Sequence, residues 1–190
     1  MADVRLEMSR LEPLLLGSSS HLDRLEGTGI LAPGDARAYG AVGPIGRASG
    51  IDRDLRRDHP YAAYAEVGFE VPVYNTGDAL ARAKVRMAET HQSLRIVEQL
   101  LDRLPGGAVR VAVDELRTGA SSLGWAESPR GEGLHWLLAG EGGILSRYRV
   151  RPASFANAQV FPLAVPGHNI LTDFPIIEQS FGLSFAGCDR

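Results

Sequence analysis

The sequence predicts a mainly helical domain with a small antiparallel β-sheet, an α+β fold built on one long central helix. Three observations carry this. Apolar residues recur at helical spacing from Asp78 to Leu104, the period changes to alternation in ILSRYRVR (144–151), and Gly and Pro rather than low-complexity tracts punctuate the remainder. With 190 residues, 44% hydrophobic and 23% charged, the chain has the size and composition of one soluble globular unit, read as a single domain over residues 1–190.

Val4, Met8, Leu11 and Leu15 lie at helical spacing, which predicts an amphipathic helix over residues 2–16 with a kink or stop near Pro13 and an end at Gly17. From Gly27 to Tyr64 the chain is rich in Gly, Pro and balanced charge; it reads as a loop region with one short helix at residues 33–39, and contains GPIGRASG (43–50) and IDRDLRRDHPY (51–61). In the central helix Leu80, Met87, Leu94 and Leu101 fall seven apart, with Ala83, Val97 and Leu104 in a second row. Thr76 or Asp78 caps its start and Pro105-Gly106-Gly107 ends it. Such a stripe serves either packing within the domain or a dimerising coiled coil, and the amount of other apolar sequence favours packing.

LHWLLAG (134–140) and ILSRYRVR, joined across Glu141-Gly142-Gly143, predict a hairpin. In its second strand Arg147, Arg149 and Arg151 point one way and Ser146, Tyr148 and Val150 the other, the pattern of a half-buried strand. The arginine stripe reads first as a solvated face and second as a protein or phosphate contact. A closing helix over residues 169–179 carries Ile170, Leu171, Phe174, Ile176 and Ile177 and is expected to bend at Pro175.

A net charge of −3 supplies no positive field for nucleic acid or anionic lipid, so neither is expected as a partner. The single cysteine, Cys188, cannot form an internal disulfide, and there is neither a signal-peptide core nor an apolar run long enough to span a bilayer. The expected location is therefore cytosol-facing, without a membrane span. Five histidines (His21, His59, His91, His135, His168) lack metal-ligand spacing, and His91 beside the apolar stripe reads as a core or boundary histidine. The glycines of GTG (27–29) and GEGG (140–143) lack the strand–loop–helix setting of a nucleotide site. SSSHLDR (18–24) offers no triad without geometry.

The densest chemistry lies in WAESPRGEGLHW (125–136). Pro129 fixes and Gly131 frees a turn that aims Arg130, a permanent cation with five donors, from a point immediately before a strand. Glu127 and Glu132 stand near enough in sequence to pair with it. On the residues alone a structural ion pair is the first reading and a cation aimed into a cleft the second.

This segment resembles the Glu-x-Pro-Arg-Gly-x-x-x-His-Trp run of nickel–iron hydrogenase large subunits and the Glu-Ser-Pro-Arg-Gly-Glu of the quinone-site large subunit of respiratory complex I, two families that share a fold. The likeness extends in family order through GPIGRASG, DLRRDHPYAAY, VRMAETHQSLRIVEQLLDRLP, VRPASFANAQ and GHNILTDFPIIEQSFGLSFAGCDR. The second and the HW block resemble formate-hydrogenlyase-type, energy-converting hydrogenase-related subunits most. The resemblance implies a hydrogenase large subunit-like fold, of which this chain is the C-terminal half.

Hydrogen chemistry in that family needs two Cys-x-x-Cys pairs, because soft thiolates hold nickel and bridge it to iron. One pair lies upstream of the matched region. Anchoring on Asp189-Arg190 sets Gly182 and Leu183 at the family's C-terminal Asp-Pro, and Ser184 and Gly187 where its cysteines stand; a shift by one makes Cys188 the second ligand but leaves Phe185 as the first. No register restores the pair, so nickel–iron is not expected and Cys188 reads first as an ordinary small buried residue near the chain end and second as a redox sensor. The resemblance then implies part of a membrane-associated oxidoreductase on the cytoplasmic face. It would pass electrons from an iron–sulfur small subunit to a quinone or other acceptor, alongside membrane subunits and with no cofactor of its own in this chain. Arg130, with Glu127, is the candidate catalytic pair, and the chain alone is expected to be inactive. The alternatives are a noncatalytic scaffold docking the iron–sulfur and membrane subunits, and a true formate-hydrogenlyase-type hydrogenase.

Overall fold

The computed structural model describes residues 2–112 and 116–188. In chain order it contains α1 (Ala2–Gly17), α2 (Ser19–Leu25), α3 (Pro33–Ala38), α4 (Gly43–Ala48), α5 (Leu55–Asp58) and the long α6 (Ala79–Asp102). Strands β1 (Ser121–Ser128), β2 (Gly131–Ala139) and β3 (Leu145–Arg151) follow, then α7 (Ala153–Ala158), α8 (Phe161–Ala164), α9 (Phe174–Phe181) and α10 (Phe185–Cys188). The expected class, helices around one long helix with a small antiparallel sheet, is the class observed.

Helix α6 begins at the predicted cap, and both candidate residues take part. Asp78 accepts from Ala81 N at 2.8 Å, while the Thr76 hydroxyl donates to Asp78 Oδ1 at 3.0 Å. Asp78 also accepts from Gly27 N at 3.0 Å, so the cap ties the preceding loop to the helix. The stripe is buried only toward the N-terminal end. Leu80 and Leu94 are buried, but Val97, Leu101 and Leu104 are exposed, and among the buried residues of the helix are Arg82 and Gln92.

The core joins Leu31, Ile45, Val160, Ile177 and Phe181 from α4, α9 and the loops before α3 and α8. The region expected as loop carries two further helices. In α4 every residue is buried, and Asn157 of α7 fixes its entry by accepting from Val42 N at 3.0 Å and donating to Val42 O at 3.1 Å. Pro13 does not stop α1, which runs on to Gly17 with no buried residue. Its ties to α6 include Arg5 to Glu98 at 2.6 Å and Glu12 to His91 Nε2 at 2.7 Å, which makes His91 a boundary histidine with a partner. Pro175 does not bend the closing helix either. It occupies the first turn of α9, where its missing N–H has no partner to lose.

The sheet has order β1-β2-β3, both pairs antiparallel. The hairpin of β2 and β3 is as expected. Strand β3 is not half-buried: apart from Val150, which is intermediate, its residues are exposed on both faces. Arg147 and Arg149 stand exposed, and Arg151 reaches Glu132 at 3.3 Å.

Candidate functional site

Glu127-Ser128-Pro129-Arg130-Gly131 forms the turn between β1 and β2, with Ser128 and Gly131 paired across it. The Ser128 hydroxyl donates to Gly131 O at 2.8 Å and accepts from Arg130 N at 3.3 Å, closing the two-residue loop. The turn packs directly on the N-terminal end of α4 through Gly43, so the strand end that carries Glu127 sits beside the helix that carries Arg47.

The cross-strand neighbours Glu127 and Glu132 would repel if left alone. Arginines neutralise both: Arg47 contacts Glu127 at 3.1 Å, and Arg53 and Arg151 pair with Glu132. Among the described residues neither pairs with Arg130, so the ion pair favoured on residue types is not formed. Arg130 lies at the turn tip, where its Nε donates to Gly182 O at 2.7 Å, while Glu127 faces α4 and α5 and Glu132 meets Arg53 and Arg151.

Arg130 and Glu127 nonetheless line one cleft. Its volume is about 650 Å³, and its wall includes Arg47, Arg56, Arg86, Glu89, Glu127 and Arg130, together with Gly182 at the end of α9. The α6 wall is built from Arg86, Glu89, Thr90 and Ser93, positions three and four apart that share one helix face.

Arg47, 1% exposed, is the centre of the charge network. It contacts Asp54 at 3.5 Å, Glu127 at 3.1 Å and Glu89 at 2.5 Å, and donates to Arg53 O at 2.8 Å. The contact to Glu89 Oε1 is one of charge without hydrogen-bond alignment, and that oxygen and Arg47 Nε are buried with no hydrogen-bond partner among the described residues. Asp54 in turn holds Arg56 through two bonds of 2.9 and 2.6 Å. Buried charges persist only when matched in this way.

The environment moves several of these groups. Burial pushes the Glu89 and Glu127 carboxyls above the ordinary glutamate range, although the Arg47 charge pulls both down. Burial lowers Arg86; the Glu89 field opposes that shift and the Arg130 field adds to it. Burial, with help from Arg86, lowers Arg82 to about 9. For Arg56 burial pulls down, but the bond to Asp54 and the surrounding carboxylates outweigh it and hold the pKa above its usual value.

The described residues offer a single thiol, that of Cys188, which was expected buried and is only partly so. The Cys188 thiol is partly buried 3.6 Å from Ser154 O, away from the cleft wall, and among the described residues no three His, Cys, Asp or Glu are grouped to hold a metal. The cation-flanked cleft is suited instead to a ligand that carries or develops negative charge. Asp189 and Arg190, used to align the terminal segment, lie outside the described residues.

The turn signal in the sequence points to Arg130 and Glu127. It does not point to Arg47, Asp54, Arg56, Arg86 or Glu89. Their signal is present only as the blocks GPIGRASG, DLRRDHPY and VRMAETHQ, which the fold brings to one place.

The family model described as respiratory-chain NADH dehydrogenase, 49 Kd subunit, matches residues 1–121 and 113–190. The chain is similar to formate hydrogenlyase subunit 5 of Escherichia coli (strain K12), 36% identical over 98% of this chain and 33% of that protein. It is 40% identical to an NADH-quinone oxidoreductase subunit of Syntrophobacter fumaroxidans over 89% of this chain and 46% of that one. Among solved structures it resembles a chain of the membrane-bound sulfane sulfur reductase, an archaeal respiratory membrane complex, with a TM-score of 0.91 and 30% identity over 100% of this chain and 53% of that chain. The chain thus spans between a third and about half of the length of these relatives.

Proposed function

The chain belongs to the family of the respiratory-chain NADH dehydrogenase 49 Kd subunit, and from that premise we propose that its cleft is the acceptor pocket of a membrane-associated oxidoreductase. An iron–sulfur small subunit delivers electrons, membrane subunits anchor the assembly at the cytoplasmic face, and a quinone or a comparable acceptor takes up the electrons beside Arg130. No described helix is long and apolar enough to cross a membrane, so in this reading the chain acts from the surface.

The observation that carries this reading is the convergence on one cleft of charged residues from α4, α5, α6 and the β1–β2 turn, with the Arg130 guanidinium beside them and free of any carboxylate among the described residues. Reduction adds negative charge to an acceptor. A fixed cation at that point stabilises the reduced form and costs no reorganisation when the electron arrives. Glu127 and Glu89, which keep their protons to higher pH than free glutamate, stand in the same wall as groups able to exchange a proton with the reduced acceptor.

The test is electron transfer in the intact assembly. Arg130→Ala is expected to lower kcat/KM for the acceptor by roughly a hundredfold, and Arg130→Lys to recover part of it. Unchanged turnover and acceptor affinity in Arg130→Ala would remove the proposed role and leave the scaffold reading. Metal analysis of the same preparation should find no stoichiometric nickel.

A further inference from the structure

Two cations of the cleft have no carboxylate partner among the described residues. Arg86 donates through Nη1 to Arg82 O at 3.3 Å and through Nη2 to Phe181 O at 3.2 Å. Arg130 donates through Nε to Gly182 O at 2.7 Å. Both are therefore held at the C-terminal end of α9 by neutral carbonyls, and both retain donors beyond those used, since a guanidinium has five. Behind them Arg82, 0% exposed, lies over the Phe181 ring at 4.6 Å and is bonded to Ser180 Oγ at 2.9 Å and Gly77 O at 2.6 Å, again neutral groups.

The carboxylates of the network are already engaged elsewhere. Asp54, Glu89 and Glu127 all contact Arg47, and Asp54 also holds Arg56. No described carboxylate makes an ion pair with Arg86 or Arg130, and placing like charges together beside a low-dielectric wall is unfavourable without a counter-ion.

The position where a counter-ion would belong is occupied by Gly182. This residue has φ +60, its carbonyl accepts from Arg130, and a Cβ built on it would lie 3.4 Å from Arg86 Nη2. An acidic side chain there would start beside the Arg86 guanidinium, on the residue whose carbonyl Arg130 holds. Glycine leaves that place to a ligand.

We propose that Arg86 and Arg130 form a two-point site for an anionic oxygen group, a carboxylate or an oxyanion of phosphorus or sulfur, seated over Gly182. The proposal rests on the acceptor-pocket reading and narrows the occupant to a molecule that carries, or gains on reduction, a negatively charged oxygen. The volume of about 650 Å³ leaves room for a body larger than the anionic group itself.

The test uses the full-length protein in its native assembly, titrated with phosphate, sulfate and acetate against chloride at matched ionic strength. Thermal midpoint and acceptor reduction are followed together. A saturable rise in midpoint with at least one oxyanion but not with chloride, accompanied by competition with the acceptor, is expected; acetate against phosphate and sulfate tells a carboxylate site from an inorganic one. Arg86→Gln and Arg130→Gln should each weaken the anion at least about tenfold. Gly182→Asp supplies an internal carboxylate and should abolish the response, whereas Gly182→Asn, of the same shape and equally tolerant of the left-handed conformation, should retain it. Equal responses in these two variants, or a wild type that answers chloride as it answers the oxyanions, would overturn the proposal. If electrons flow while the anions neither bind nor compete, only the anion site falls; if the anions bind but no acceptor is reduced, only the acceptor-pocket reading falls.

Discussion

Gly43 and Gly131 meet backbone to backbone where α4 receives the β1–β2 turn. A Cβ on Gly43 would lie 2.4 Å from Gly131 Cα, and one on Gly131 would lie 2.7 Å from Gly43 N. Both residues also have positive φ, 61° and 122°. Alanine at either position is expected to cost about 3 kcal/mol, from strain and forced separation together. Because Arg130 precedes Gly131, Gly131→Ala should also raise the KM for the acceptor. Urea midpoints and steady-state kinetics of the two alanine variants check both statements.

Arg47 makes ion pairs with Asp54, Glu89 and Glu127 together. Replacing it with methionine leaves the largely buried Glu89 and Glu127 carboxylates without their ion-pair partner among the described residues, while Asp54 keeps Arg56, and is expected to destabilise by about 3–5 kcal/mol. Adding Glu127→Gln should recover part of that loss, so the double variant will be less destabilised than the sum of the two singles. A double-mutant cycle by chemical denaturation measures the coupling.

Burial raises the Glu89 and Glu127 carboxyls above the ordinary glutamate range, so the folded chain keeps their protons to a higher pH than the unfolded chain does. Above the unfolded value of about 4.3 the folded state therefore binds more protons, and stability falls as the pH rises toward the raised folded values. The contribution is fully present below that window and lost through it. Glu89→Gln has no proton to lose, so the stability of the variant relative to wild type should increase with pH across this interval. Denaturation midpoints at a series of pH values give the slope, and parallel curves would show that Glu89 does not titrate there.

Asp78 caps α6 and also accepts from Gly27 N and Thr76 Oγ1. Asp78→Ala is expected to cost about 2 kcal/mol, at the upper end for a helix cap because a loop contact goes with it. Asp78→Asn should keep most of the stability. Thermal unfolding of the pair separates the cap geometry from the charge.

The long helix is legible in the sequence because its signals are local: Asp78 before it, Pro105-Gly106-Gly107 after it, and apolar residues at helical spacing between. Helices α4 and α5 are not, since six and four residues carry no period and both depend on distant partners, Asn157 for the start of α4 and Glu127 Oε2 for Leu55 N of α5. Strand β1 escapes a sequence reading because SSLGWAES alternates nothing, being exposed almost throughout and held by pairing to β2. In the cleft, a Pro–Gly turn reveals Arg130 and Glu127. The ion pair expected between them fails because the hairpin sets Glu127 on the strand facing α4 and α5 and Arg130 at the tip. Arg47, Arg86 and Glu89 are joined to the turn by the fold alone, across tens of residues of sequence.

Helix α6 serves two rooms at once. Arg86, Glu89 and Thr90 line the polar cleft, while Ala79, Ala83 and Met87, with Arg86 on the border of both, line a mainly apolar hollow against Ile176 and Leu15. Each added residue rotates everything beyond it by about 100°. A single insertion between Asp78 and Val85 would therefore set Arg86 at the place of Met87 and bring Val85 and Ala88 to the cleft places of Arg86 and Glu89, so the length of that first stretch of helix carries as much chemical information as the side chains it displays.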